Sequence, residues 1–421
     1  CAAFRAAAGI ETVPAKVRFS TAAHWALRAT LLQDWAQAVD AYRLAISHLP
    51  LMAWHGLDLA DRISGLAVSD SIGCDAAAAA LNAGRPDVAL QLLEQGRGVL
   101  LAQAMDARFD AMALQEQEPE LARRIAEIHT ALHSADAALV DSTAPARERW
   151  AEARERRELA AELDVLTERA HRLLGLHDFL RLPSAEELRA AAGDGPVVVV
   201  NTSGLRCDAL IVTADALRTV PLPGLHLAGP DGIRARTRSL LAALASAGQS
   251  PQEAGRVLGN TLQWLWDTTV EPVLTVLGSA GQQPGPPTRL WWCPTGLLAL
   301  LPLHAAGELP DRYVCSYATT LRSLAHARRQ RHGRHDDGER TDGVLIVDQA
   351  DVPGLPALPY ARKEAMRLIN QVKERKLLAG PGATRRVVRR ALPNHTCLHF
   401  SGHARHDPAH PSRSGLYCHG D

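Results

Sequence analysis

The chain has 421 residues, of which 47% are hydrophobic and 22% are charged. That length fits about two or three domains, and the composition excludes a wholly disordered or fibrous protein. The 46 basic and 46 acidic side chains give a formal net charge of +0, so no field of one sign covers the molecule. We therefore expect neither nucleic acid nor an anionic membrane as a partner.

Cysteine usage and the apolar runs indicate a reducing compartment. The cysteines are odd in number and contain no Cys-x-x-Cys pair, which argues against a disulfide framework or a cysteine zinc site. They are Cys1, Cys74, Cys207, Cys293, Cys315, Cys397 and Cys418. No apolar run approaches the roughly 18 residues of a membrane span, and no secretory signal opens the sequence. We predict a cytoplasmic protein, and its arginine and alanine bias is typical of a high-GC bacterial genome.

The first half of the chain has the periodicity of helices, because apolar residues recur at spacings of three and four and glycines are sparse. Residues 33–46 and 83–94 each place a polar turn before a helix with a small alanine, Ala38 or Ala89. This pattern resembles the turn and second helix of tetratricopeptide repeats. The two alanines are 51 residues apart, against about 34 in regular repeats. We predict a helical arm of degenerate repeats over residues 1–105, with an irregular helical bundle as the alternative.

Residues 106–185 are predicted to form a helical hairpin packed on its own apolar seam. Two sets of apolar residues recur with alternating spacings of four and three, as in coiled coils. The first set is Leu121, Ile125, Ile128, Leu132 and Leu139, and the second is Leu159, Leu163, Leu166, Ala170 and Leu173. Residues 141–145 provide the break between them. We favour a spacer over a binding element for a partner.

Residues 186–421 are predicted to form an α/β domain with a mostly parallel sheet, because β-branched runs alternate with amphipathic helices. The predicted strands are 197–200, 207–212, 290–293, 344–347 and 396–400, and the predicted helices are 233–245, 257–276 and 360–372. The polar segment 180–196 should be an exposed boundary at which the two halves separate. Residues 328–340, rich in Arg, His, Asp and Gly, are predicted to form a solvated loop.

The stretch 397–404 contains the strongest candidate for catalysis. An apolar strand leads into Ser401 and Gly402 and then presents His403 just past its carboxyl end, where ligands and catalytic groups of open α/β sheets collect. A histidine there can act as a general base or as the ion-pair partner of a thiol. On spacing alone, a solvent-facing loop histidine remains the alternative.

The same region raises the question of a metal site, since it contains His395, His399, His403, His406, His410 and His419. Histidines four residues apart bind zinc when they share a helix face. Here the spacing falls on a strand end and on a segment with Pro408, so we predict no metal site. No glycine-rich phosphate loop or dinucleotide-binding fingerprint occurs, and we predict no cofactor.

Four blocks of sequence together resemble the CHAT domain, a caspase-like domain associated with tetratricopeptide repeats. Residues 398–408 and 414–418 resemble its histidine block, with Ser-Gly-His-Ala at 401–404. Residues 290–306 resemble its strand, Pro-x-Gly turn and Leu-Pro segment, and residues 355–364 its Leu-Pro entry to a helix. Residues 93–101 resemble the helix that commonly precedes it. The resemblance implies a helical-repeat arm followed by a caspase-like α/β domain.

The resemblance implies a Cys-His dyad in which a thiolate attacks a peptide carbonyl and backbone amides stabilise the oxyanion. His403 matches the catalytic histidine, whereas Ala404 stands where glycine is usual. The nucleophile has no clear counterpart, because the caspase cysteine lies about 50 residues after the histidine and only 18 residues follow His403. Cys418 matches the family's Ser-Gly-Leu hairpin and not its cysteine-bearing strand. Cys397 is expected to be a small core residue.

We predict a CHAT-type cysteine peptidase that cleaves proteins and binds a protein partner through its helical arm. Both ends of the sequence are expected to be cut from a longer protein, so these 421 residues should lack the nucleophile and be inactive. The alternative is a noncatalytic scaffold for protein–protein interaction. A strand ending in cysteine downstream in the parent reading frame would favour the peptidase. The sequence assigns no cleavage specificity and no oligomeric state.

Overall fold

The computed structural model describes residues 2–8, 10, 13–67, 71–103, 105, 114, 118–139, 146–173, 184–193, 195–278, 288–333, 343–405, 407 and 414–420. These residues divide into two compact units, Cys1–Arg328 and Arg329–Asp421. No helix in the described part of the chain combines the length and the apolar character needed to cross a membrane.

The first unit begins with seven helices. They are α1 (Ala2–Ala8), α2 (Ala15–Leu31), α3 (Trp35–Ser47), α4 (Leu49–Met52), α5 (Leu59–Ala67), α6 (Ile72–Asn82) and α7 (Pro86–Gln95). Helix α2 packs on α3 and α6 packs on α7, each pair across a short turn. The Asp34 carboxylate caps α3 by accepting from the Gln37 N–H at 3.1 Å. Ala38 and Ala89 are fully buried, as the predicted close approach of helices requires.

A helical hairpin follows, as the two apolar seams predict. Helix α8 (Pro119–Leu139) packs on α9 (Ala146–Leu173) through buried residues of both seams, including Ile125, Ile128, Leu163 and Ala170. Leu173 departs from the prediction, because 46% of its surface is exposed. The predicted break at 141–145 lies outside the described residues.

Helix α10 (Ala185–Ala190) leads into a five-stranded mixed sheet. Its strands are β1 (Val197–Thr202), β2 (Cys207–Val212), β3 (Leu217–Pro221), β4 (Thr288–Pro294) and β5 (Tyr313–Tyr317), in the order β3-β2-β1-β4-β5. Strands β1, β2 and β3 form an antiparallel meander, whereas β1 pairs with β4, and β4 with β5, in parallel. The α + α/β fold class is therefore confirmed, and the predicted parallel sheet carries an antiparallel extension.

Both faces of this sheet are covered, because its strands alternate between two apolar cores. Val198, Val200 and Ile211 face helices α11 (Ile233–Ala245), α12 (Pro251–Leu265) and α13 (Glu271–Leu277), with a π-helical turn at Trp266–Val270 between α12 and α13. Val197, Val199, Leu210 and Val212 instead share a core with the N-terminal helices. That core includes Leu90, Leu92 and Leu93 of α7.

One apolar core thus crosses the predicted boundary at 180–196. Leu188, Ala191 and Ala192 within that segment are themselves buried in the core. The expectation that the helical arm and the sheet separate cleanly there is contradicted, because separation would expose one whole face of the sheet. The domain boundaries at residues 105 and 185 stay predictions.

The last helices of the first unit are the short helix α14 (Leu309–Arg312) and helix α15 (Leu321–Gly333). Helix α15 continues beyond residue 328, where the two units divide. The predicted solvated loop at 328–340 is helical as far as Gly333. Its remainder lies outside the described residues.

The second unit contains a three-stranded parallel sheet. Its strands β6 (Val344–Gln349), β7 (Arg375–Ala379) and β8 (Cys397–Gly402) lie in the order β7-β6-β8. Helix α16 (Pro359–Gln371) packs on β6 and β8. Helix α17 (Arg385–Ala391) places Val388 and Ala391 in the apolar core of this unit, together with Leu345 and Val347. Strands β9 (Ala404–Arg405) and β10 (Gly415–Leu416) form a short antiparallel pair.

Candidate active site

His403 follows strand β8 directly, at the carboxyl end of the parallel sheet, as the sequence predicts. Gly402 ends the strand beside Gln349 of β6, its partner in the register. A Cβ atom on Gly402 would lie 2.6 Å from the Gln349 Cβ atom, so this position requires glycine. The close approach of the two strand ends fixes the backbone from which His403 projects.

A hydrogen bond to a backbone carbonyl orients the His403 ring. Its Nε2 atom lies 2.7 Å from the carbonyl oxygen of Pro356. Because a carbonyl oxygen only accepts, Nε2 must carry the proton that it donates, and Nδ1 is then the lone-pair nitrogen of the neutral ring. Nδ1 has no hydrogen-bond partner among the described residues. The ring is therefore set up to accept a proton at Nδ1.

The loop that carries Pro356 is anchored on both sides. The N–H of Leu358 donates to the carbonyl oxygen of Ala350 at 2.8 Å and closes the loop. Arg362 on α16 reaches back to the carboxylates of Asp351, at 2.7 Å, and Asp348, at 3.4 Å. These contacts hold the Pro356 carbonyl in place. A backbone oxygen, and not a side chain, therefore orients the His403 ring.

A cluster of polar side chains lies on strand β8, which leads into His403. Ser401 Oγ donates to the Glu364 carboxylate at 3.3 Å and accepts from His399 Nε2 at 2.9 Å. Glu364 also lies 3.5 Å from His399 Nε2. This cluster ties strand β8 to helix α16, because His399 and Ser401 share one face of the strand.

None of the described cysteines forms a hydrogen bond with His403. Cys418 is 6% exposed and packs in the apolar core with Val388 and Ala391, although the preceding Tyr417 N–H donates to the His403 carbonyl. Cys397 is exposed, contrary to the expected core position, and starts β8 at the end opposite to His403. Six residue steps of extended chain separate the two by about 20 Å.

The histidines of this region do not converge on one point where the structure describes them. His395 Nδ1 lies 2.8 Å from the carbonyl oxygen of Ala391, while His399 and His403 turn their Nε2 atoms to other partners. Within the described ranges, no group of three or more His, Cys, Asp or Glu side chains could hold a metal ion. His406 and His410 lie outside those ranges.

The block at residues 93–101 has a structural role in the first unit. The fully buried Glu94 carboxylate forms an ion pair with Arg97 and accepts from the Arg322 N–H at 3.2 Å, in the first turn of α15. Arg97 also lies 3.2 Å from Cys293 Sγ of β4. Burial raises the pKa of the Cys293 thiol to about 11, so this cysteine is a poor nucleophile. The motif therefore joins α7 to the sheet.

A small pocket opens where the parallel strands β4 and β5 end. It has a volume of about 250 Å³ and is lined by Ala299, Leu300, Leu301, Pro302, His304 and Tyr317. The Tyr317 hydroxyl accepts from the His304 N–H at 3.1 Å and lies 2.9 Å from its Nδ1 atom. Burial raises the pKa of Tyr317, which keeps the hydroxyl protonated for this contact.

The model of one protein family, the CHAT domain, matches residues 259–421. The match begins within helix α12 and includes His403 and the strands from β4 onward. It confirms the resemblance over this range, where the chain is similar to the CHAT domain, a family related to caspase-like peptidases. The match does not reach the residues predicted to form repeats. No curated protein matches the chain.

Sequence reasoning found the position of His403 but missed the group that orients it. The segment 355–364 resembles a family block, and the Pro356 carbonyl oxygen has no side-chain signal that a sequence could reveal. The buried ion pair of Glu94 and Arg97 was also missed. The available signal was an acidic residue at the end of an apolar helix with a basic residue three positions later, just past the helix.

Proposed function

We propose that this chain contributes the histidine half of a CHAT-type cysteine peptidase, with His403 as the proton-transfer group. The supporting observation is the 2.7 Å contact between His403 Nε2 and the Pro356 carbonyl oxygen. It fixes the tautomer in which Nδ1 is the basic atom. A general base requires a defined orientation before a suitable pKa, and this contact supplies the orientation.

In the proposed reaction, Nδ1 takes the proton of a cysteine thiol, and the thiolate attacks the carbonyl carbon of a peptide bond. The His403 ring then carries a positive charge, which the Pro356 carbonyl stabilises through the Nε2–H group. Transfer of the Nδ1 proton to the leaving amine breaks the C–N bond and leaves an acyl-enzyme. Water then attacks this thioester and gives up a proton to Nδ1. The C–S bond breaks, the peptide leaves as a carboxylic acid, and the Nδ1 proton returns to the thiolate to restore the thiol.

We place the reacting thiol outside the described residues. Burial raises the pKa of Cys74, Cys207, Cys293 and Cys315 and disfavours their thiolates. Cys418 is packed in an apolar core. These observations support the prediction that the 421 residues by themselves do not cleave peptides.

The test uses a thiol-directed peptide warhead and a peptide library, applied to the 421-residue chain and to the protein expressed from its parent reading frame. If that reading frame supplies the thiol, its protein should cleave peptides, and His403→Ala should lower the rate by roughly 10²- to 10⁴-fold. His395→Ala is the matched control, because His395 bonds to a backbone carbonyl away from the site. Labelling of Cys418 that depends on His403 would contradict our placement of the thiol.

The second candidate is a noncatalytic scaffold, which the raised thiol pKa values of the buried cysteines favour. In either case we propose that a protein partner binds the helical arm. Helix α2 exposes Val17, Leu27 and Leu31 by 51%, 51% and 67%. Absence of peptide cleavage by the protein from the parent reading frame would favour the scaffold, whereas equal cleavage by wild type and His403→Ala would contradict the proposed role of His403.

A further inference from the structure

Helix α17 in the second unit presents four arginines to solvent. Arg385, Arg386, Arg389 and Arg390 are exposed, while the helix is held in place by its buried Val388. The four side chains line an open cleft of about 390 Å³. None of them forms an ion pair with an acidic residue in the described ranges.

These arginines impose a local cost on the helix. Arg385 and Arg389, like Arg386 and Arg390, are four residues apart, so like charges face each other on the helix surface. An anionic ligand on this face would relieve this like-charge repulsion.

The net charge of the second unit also favours an anionic ligand. Residues 329–421 carry sixteen lysines and arginines against ten acidic residues, although the complete chain is neutral. The excess of six positive charges is therefore specific to this unit. It would favour the approach of an acidic partner to this unit.

We propose that the exposed face of α17 binds an acidic peptide segment of a partner protein. Each guanidinium can donate two parallel hydrogen bonds to a carboxylate, and arginine clusters are a recurrent means of recognising acidic motifs. Nucleic acid is disfavoured because α17 contains no aromatic residue on which a base could stack. Membrane insertion is disfavoured because Val388 and Ala391 of the helix are buried.

Fluorescence anisotropy with the full chain tests this proposal. The probe is a labelled eight-residue peptide of Asp and Glu, and its comparator is the same peptide with Asn and Gln. Substitution of all four arginines by glutamine should weaken binding of the acidic peptide by about tenfold or more, since each exposed charge pair contributes a small part of the affinity. The matched control, Arg367→Gln with Lys373→Gln, removes two exposed charges of the same unit and should change the affinity by less than about twofold.

Thermal unfolding checks that the glutamine variant is folded, and removal of the like-charge pairs should leave its Tm unchanged or raised. Binding should also weaken as salt rises, because the contacts are exposed charges. The proposal is overturned if the folded glutamine variant binds the acidic peptide as wild type does, or if the neutral peptide binds equally well. Tighter, arginine-dependent binding of a labelled RNA octamer would also overturn it in favour of nucleic acid.

Discussion

Removal of residues 1–185 tests whether the sheet of the first unit can exist without the N-terminal helices. In the intact chain Val197, Val199, Leu210 and Val212 are fully buried and share one apolar core with α6 and α7. Burial of a valine or leucine side chain stabilises a fold by about 1.5–3 kcal/mol. Exposure of all four would therefore cost roughly 6–12 kcal/mol.

That cost is of the same order as the whole stability of a typical domain, about 5–15 kcal/mol. Polar contacts across the same boundary would be lost as well. The Asn201 side chain donates to the Cys74 carbonyl at 3.0 Å, and Ser203 Oγ donates to Asp75 at 2.6 Å. We expect residues 186–421 alone to aggregate or to form a loosely packed state.

The matched protein is the full 421-residue chain, which keeps α6 and α7 on the sheet and α2 and α3 in the same core. Size-exclusion chromatography, binding of a hydrophobic dye and urea unfolding distinguish the two proteins. We expect cooperative unfolding and little dye binding for the full chain only. If residues 186–421 were monomeric, bound no dye and unfolded cooperatively, the shared core would not be required and this reasoning would be refuted.

Three substitutions test other contacts, each by urea unfolding. Arg97→Met leaves the buried Glu94 carboxylate without its guanidinium and should lower the free energy of unfolding by about 3–5 kcal/mol. The double variant with Glu94→Gln should recover much of that loss. A loss below about 1 kcal/mol for Arg97→Met would contradict a buried ion pair. The Cys293 pKa of about 11 exceeds its usual value of 9.0, so the folded state resists loss of the thiol proton. The free energy of unfolding of wild type should therefore fall by up to about 3 kcal/mol between pH 9 and pH 11, whereas that of Cys293→Ala should not show this fall. Equal pH profiles of the two proteins would refute this. Gly402→Ala forces the ends of β6 and β8 apart and should lower the free energy of unfolding by about 1–3 kcal/mol. Gly415→Ala is the control, because a Cβ atom at Gly415 would meet no other atom within 4 Å. Equal effects of the two substitutions would argue against a steric requirement for glycine at position 402.

The structure also explains why some strands were predicted from the sequence and others were missed. Strands β1 and β2 are continuous apolar runs, and the prediction placed the bounds of β2 correctly at 207 and 212. Strand β7 is mostly exposed and strand β3 is only partly buried, so their residues carry no apolar run that a sequence pattern could detect. The antiparallel pairing of β1 with β2 was missed because periodicity reports burial and not strand direction.

The sequence by itself determined the helical first half, the strands that are continuous apolar runs, the seams of the helical hairpin and the place of His403 after a strand, because each depends on residues close together in the chain. Tertiary structure alone decided which groups meet. The Pro356 carbonyl reaches His403 across 47 residues, and Arg97 reaches Cys293 across 196. Such contacts depend on strand order and loop geometry, which no local pattern of residue types encodes. For the same reason only the fold reveals that α7 and the sheet share one core.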